Sequence, residues 1–217
     1  MEQTKKISDW INKNKLEIIQ NIDYESVEVF KFLTNEFNNS DVSENSLFQF
    51  VYRSYYRLDL AGLTKEFKIE YFKIMQELRN TDNIDLLEII ERLYKFENLR
   101  NRKSVQFSFA TKLANTIDKS IPIYDSQVCK VFNLSRPFQK DFDKKVTKYF
   151  EQLSIISSTY NEIIDKGLIN ETLLLFNGRF DNSISQKNKL DFIFWSAGKL
   201  ISKIKKAENL NKRVISN

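Results

Sequence analysis

The sequence predicts an all-α fold, a bundle of about nine or ten helices in a single domain, arranged as one compact unit or as two interleaved lobes. Three observations predict it. Only 4 Gly and 2 Pro occur in 217 residues, so turn-forming residues are too scarce for a many-turned β architecture. The composition is 41% hydrophobic, with 18 Phe and 9 Tyr, which is enough apolar material for a sizeable core. Apolar residues recur at helical spacing, and no alternating strand reaches convincing length. VFKFL (29–33) and FIFW (192–195) suit strands only when lifted out of their helical flanks.

Residues 1–22 read as one amphipathic helix with Ile7, Trp10, Ile11, Ile18 and Ile19 on a common face. The next helix covers 24–37, carrying Val27, Phe30, Phe32, Leu33 and Phe37. A polar turn follows, and Ser43 is placed as an N-cap before an aromatic helix at 47–56. Gly62 ends that segment, and Thr64 caps a helix over 65–79. Asp82 or Asn83 is the expected cap for 84–99. A soft division is expected near 100–104. A helix over 105–117 leads through a short Pro122-containing connection to Asp125, at the start of another helix. A long helix over 138–166 is closed by Gly167 as its C-terminal cap. Residues 170–176 form a helix ended by Asn177-Gly178, and 189–206 closes the fold with a lysine-rich face. The first and last helices are candidates to pack together.

Composition also excludes functions. The chain has no His and a single Cys (Cys129), so zinc sites, iron–sulfur sets and internal disulfides are not expected. No metal or cofactor is expected. Catalysis would have to use Asp, Glu, Lys, Tyr, Ser or that one Cys. No apolar run approaches the roughly 20 residues of a membrane helix. The N-terminal stretch lacks the apolar core of a signal peptide, so a cytoplasmic location is expected. The net charge of +5 suits a polyanionic partner, and a lysine-rich composition explains it equally well. Nothing in the sequence fixes the oligomeric state.

The stretch 107–134, FSFATKLANTIDKSIPIYDSQVCKVFNL, carries the chemistry. Lys112 lies on the flank of one helix, and by itself reads as a solvated surface lysine. Asp125 sits where the next begins, and by itself reads as a plain N-cap. Lys112-Leu113-Ala114-Asn115 followed by Pro122-Ile123-Tyr124-Asp125-Ser126-Gln127-Val128 resembles the K-T-A-N … P-x-V-D-T-H-V segment of the helix-hairpin-helix DNA glycosylases, the 8-oxoguanine glycosylase and endonuclease III-like superfamily. Lys130 and Val131 stand near its basic-apolar end. The resemblance implies an all-α fold, DNA as partner and base excision as activity. It implies that Asp125 is the catalytic carboxylate and Lys112 a Schiff-base nucleophile. The similar segment covers about one eighth of the chain. Two departures stand out. The glycine-rich hairpin L-P-G-V-G is absent, with Val105–Phe109 in its place, and Lys112 and Asp125 are only thirteen residues apart.

Excision builds positive charge on the sugar, which a carboxylate stabilises. A flipped base needs apolar or aromatic walls. Phe107, Phe109, Tyr52, Tyr55, Tyr56 and Tyr124 are the candidates, with ordinary core packing as the alternative. Arg100, Arg102, Lys103, Lys130, Arg53 and Arg57 are candidate phosphate contacts, with solvated surface charge as the alternative. Two other functions remain open: an inactive all-α DNA-binding module, and a helical protein-interaction or regulatory factor.

Overall fold

The computed structural model describes residues 2–180 and 182–215. Among them are eleven α-helices, nine of seven residues or longer, and no strand. The all-α class is therefore observed. No described helix is long and apolar enough to cross a membrane.

The chain forms two units, each made of discontinuous segments. The first contains residues 1–23, 125–136 and 154–217. The second contains 24–124 and 137–153. The stretch 100–104 lies inside the second unit.

In the first unit, α1 (Glu2–Lys13) and α2 (Lys15–Gln20) replace the single helix expected over 1–22. At the break, the Asn14 side-chain amide donates to the Trp10 carbonyl at 2.8 Å, sharing that acceptor with the Asn14 backbone N–H at 3.2 Å. The terminal helices do meet. Ser196 Oγ, on α11 (Gln186–Ile215), donates to the Ile18 carbonyl at 2.6 Å. Lys203 pairs with Glu17 at 3.0 Å. α10 (Asn170–Phe180) is tied to α1 through Thr172 Oγ1, which donates to Asn12 Oδ1 at 2.9 Å. α10 runs through Asn177-Gly178 instead of ending there. One glycine costs a helix about 1 kcal/mol. Continuing buries Phe180, whose ring meets that of Phe176 at 4.9 Å.

α9 (Phe142–Lys166) closes as expected. Gly167 takes φ +62, and Leu168 N–H reaches back to the Ile163 carbonyl at 3.0 Å. α8 (Ser126–Val131) ends in the same manner, with Asn133 at φ 54 and Leu134 N–H on the Cys129 carbonyl at 2.9 Å. α8 crosses α11 at Gly198, where a Cβ would stand 2.0 Å from the Gln127 carbonyl oxygen.

The second unit contains α3 (Tyr24–Asn39), α4 (Ser46–Tyr55), α5 (Lys65–Glu77), α6 (Leu86–Tyr94), α7 (Phe107–Ile117) and the first turns of α9. Two caps differ from expectation. Ser43 is occupied in a local turn, with its N–H and Oγ both bonded to Asp41 Oδ1, so Asn45 caps α4 by accepting from Phe48 N–H at 2.9 Å. Asp85, not Asp82 or Asn83, caps α6 by accepting from the N–H groups of Leu87 and Glu88. Thr64 caps α5 as expected, accepting from Phe67 N–H at 3.3 Å. α6 stops at Tyr94, and the residues expected to continue it form a turn around Asn98.

The α8–α11 crossing predicts a contrast between two glycines. Gly198→Ala must separate two backbones, so the variant should lose several degrees of Tm in a thermal melt. Gly178 has open space around it and lies within a helix. Gly178→Ala should be neutral or stabilising by about 0.5–1 kcal/mol. A neutral Gly198→Ala would show that α8 is not held against α11 in this way.

Candidate functional site

α7 is the most completely buried helix segment around the motif: every residue from Ala110 to Thr116 is buried. Its position follows from a hydroxyl network with α4 and α5. Tyr71 OH donates to the Phe109 carbonyl at 2.9 Å, and Thr116 Oγ1 donates to the Lys112 carbonyl at 2.8 Å. The Tyr52 hydroxyl lies between them, 3.0 Å from Tyr71 OH and 3.1 Å from Thr116 Oγ1. With the other two protons committed to carbonyls, the single Tyr52 proton serves one neighbour at a time. Burial pushes the ionisation of both Tyr52 and Tyr71 well above the tyrosine range, so neither supplies a phenolate base.

Lys112 is only 9% exposed. Its ammonium lies 5.1 Å from the centre of the Phe109 ring and 5.7 Å from that of Tyr56. Such approaches to aromatic faces offset part of a cation's desolvation. Tyr56 in turn meets Tyr52 at 4.6 Å and Tyr55 at 4.8 Å. Four of the six aromatic candidates therefore gather around or beside Lys112. Phe107 and Tyr124 make a different set of contacts. Phe107 stacks on Tyr149 at 4.5 Å, and Tyr124 meets Phe107 edge-on at 5.1 Å. Tyr124 OH donates to Gln152 Oε1 at 2.6 Å.

The last residue of the K-L-A-N motif holds the following connection. Asn115 Nδ2 donates to the Ile121 carbonyl at 2.7 Å. Thr111 Oγ1 accepts from Tyr124 N–H at 3.1 Å. The backbone immediately before Asp125 is thus fixed to α7 itself.

Asp125 belongs to the first unit. It caps α8 in extended geometry, its Oδ1 accepting from Gln127 N–H at 2.7 Å, and it is half-exposed. Tyr160 is fully buried in the same unit, its ring 4.8 Å from that of Phe194. Its hydroxyl has no hydrogen-bond partner at ordinary geometry among the described residues. Burial, then the nearby Asp191 carboxylate, and more weakly Cys129 and Asp125, hold its ionisation well above the usual range. Asp191 is itself buried on α11. Sequence reading did not single out Tyr160 or Asp191. Their positions within apolar helical stripes gave no local signal.

The candidate phosphate contacts fall into distinct settings. Lys130 is exposed and donates to Gln127 Oε1 at 2.9 Å and Ser202 Oγ at 2.8 Å. Arg53 is engaged with Asp59 at 3.2 Å. Lys68, at 2.6 Å, and then Arg53 hold Asp59 below the usual carboxylate range. Arg57, Arg100, Arg102 and Lys103 are exposed, and none has a carboxylate within ion-pair distance among the described residues. No cluster of three or more metal-ligating side chains occurs among the described residues.

No family model matches the chain, and neither a curated protein nor a solved structure matches it significantly.

Three buried tyrosines give a pH prediction. Tyr52, Tyr71 and Tyr160 are neutral in the fold and ionise near 10.0 when exposed. Their raised ionisation contributes stability that is fully present below pH 10 and lost as pH rises above it. An ultraviolet alkaline titration should leave Tyr52, Tyr71 and Tyr160 unionised until the protein unfolds. Ionisation of all nine tyrosines in the folded state, by circular dichroism, would contradict the hydroxyl network.

Proposed function

We propose that the protein is a DNA glycosylase-like enzyme that removes a damaged or modified base by cleaving its N-glycosidic bond. One observation carries the reading. Lys112, inside the motif that resembles the glycosylase segment, is buried against the faces of Phe109 and Tyr56. Lysines ordinarily keep the ammonium in water. Desolvation is one route by which an enzyme makes an amine nucleophilic, and aromatic walls suit an extruded base.

The chemistry then follows for the named residues. The Lys112 amine attacks C1′, and the base leaves with the electron pair of the glycosidic bond and takes up a proton. Opening of the sugar ring and loss of the amine proton give a Schiff base. Asp125 stabilises the positive charge that develops on the sugar. Without attack by Lys112, water completes the same excision. Arg100, Arg102, Lys103, Arg57 and Lys130 supply phosphate contacts.

Asp125→Asn tests the carboxylate cleanly, because Asn caps helices as well as Asp does. The variant should melt like the wild type and bind DNA as well. Excision from a panel of damaged duplexes should fall by about 10²-fold or more, the scale of losing one electrostatic partner of the transition state. Equal excision by wild type and variant removes Asp125 from the chemistry. DNA binding with no excision by either protein leaves a binding module that keeps the fold without the reaction.

A further inference from the structure

The positive charge of the chain is concentrated beyond the middle of α11. Residues 199–217 hold six basic residues, Lys199, Lys203, Lys205, Lys206, Lys212 and Arg213, and one acid, Glu208. Taken from the 34 basic and 29 acidic residues of the sequence, that leaves 28 of each sign before residue 199. The net charge of +5 is therefore carried entirely by this stretch.

The same stretch leaves the packed part of the first unit. Leu200 is 2% exposed, whereas every residue from Lys203 to Asn209 is exposed. Ser202 Oγ accepts from Lys130 on α8 at 2.8 Å, and Lys203 pairs with Glu17 on α2 at 3.0 Å. These are the final polar contacts of α11 with other helices among the described residues. The helix nevertheless continues through residues 204–215, a further length of roughly 18 Å.

Its sequence register is two-sided. At about 100° per residue, Lys199, Lys205, Lys206, Lys212 and Arg213 fall on one half of the helix circumference. Leu200, Ile204, Ala207, Leu210 and Val214 fall on the other half. Lys203 falls on the apolar half and is the residue held by Glu17. Glu208 and Asn211 also fall there, so the apolar half suits shallow burial and not a deep core.

Charge selects what covers it. A second copy of this segment would bring +5 against +5. Phosphates alone engage the basic half and leave the apolar half in water. An anionic lipid surface takes both: cations lie among the headgroups while aliphatic residues enter the acyl boundary. A solitary helical stretch of a dozen residues is marginal in water, and such a surface stabilises it. The segment is too charged to cross the bilayer, so it lies in the interface.

We infer that the end of α11 is a docking helix for an anionic membrane surface, with Lys205, Lys206, Lys212 and Arg213 on the headgroups and Ile204 and Leu210 in the acyl boundary. The inference goes beyond the glycosylase reading and does not rest on it.

The test is co-sedimentation of the full chain with phosphatidylcholine vesicles, with and without phosphatidylserine, across a salt series. Wild type should bind only the phosphatidylserine vesicles, and salt should weaken that binding. Lys205→Gln/Lys206→Gln/Lys212→Gln/Arg213→Gln should weaken it by about a hundredfold or more, since each cation near an anionic leaflet is worth roughly fivefold. Ile204→Gln/Leu210→Gln should weaken it by roughly tenfold and leave the salt dependence unchanged. Glutamine suits a helix and the substitutions lie past Leu200, so both variants should melt like the wild type.

A charge variant that binds vesicles as the wild type does overturns the inference. So does an apolar variant with unchanged affinity, because headgroup attraction alone would then suffice. Wild type that ignores both vesicles also overturns it. In that case, duplex binding lost in the four-glutamine variant would assign the segment to nucleic acid, and duplex binding kept there would leave it to a protein partner.

Discussion

The second unit depends on how α7 is held. A helix buried over seven consecutive residues cannot be placed by one apolar stripe, because it has polar groups on its hidden faces. Tyr52, Tyr71 and Thr116 resolve this. Their hydroxyls satisfy one another and two α7 carbonyls, joining α4, α5 and α7 through one short network. Asn115 and Thr111 then carry the same fixity into the connection that precedes Asp125. Residues that look like filler in the sequence are the ones that hold α7 to the connection after it.

The network also accounts for the division among the aromatic candidates. Tyr52 is fully buried, spends its hydroxyl on the network and packs against Tyr56. Tyr56 and Phe109 are the rings that Lys112 meets. Phe107 and Tyr124 are consumed in packing with Tyr149 and Phe150. The charged candidates divide in the same manner. Arg53 is occupied by a carboxylate, while Arg57, Arg100, Arg102 and Lys103 remain available on exposed loops.

The fold class and several element ends were legible in the sequence because their causes are local. Thr64, Gly167 and the cap at Asp125 each act within one turn of their own helix. The misplaced caps fell in polar runs with several candidates, where a neighbour decided the outcome. Asp41 takes Ser43 and leaves the cap to Asn45. The end of α10 was not legible because burial of Phe180 outweighs a glycine. The sequence placed Lys112 within a helix and Asp125 at the start of the next, and both positions are observed. It could not show that Lys112 is buried, because that depends in part on the Tyr56 ring, more than fifty residues away in the chain. The exposure of Leu60 and Leu99 was equally hidden, since an apolar residue in a loop reads as core until its neighbours are known.

The most direct measurement is reduction with borohydride in the presence of a duplex bearing a natural abasic site, followed by mass mapping of the modified peptide. Borohydride converts a Schiff base to a stable secondary amine, so it marks the nitrogen that met C1′. With Lys112 as the nucleophile, the sugar remnant should sit on Lys112, and Lys112→Ala should form no adduct while still binding the duplex. An adduct spread over exposed lysines, or one that survives in Lys112→Ala, would contradict a reactive amine at this position.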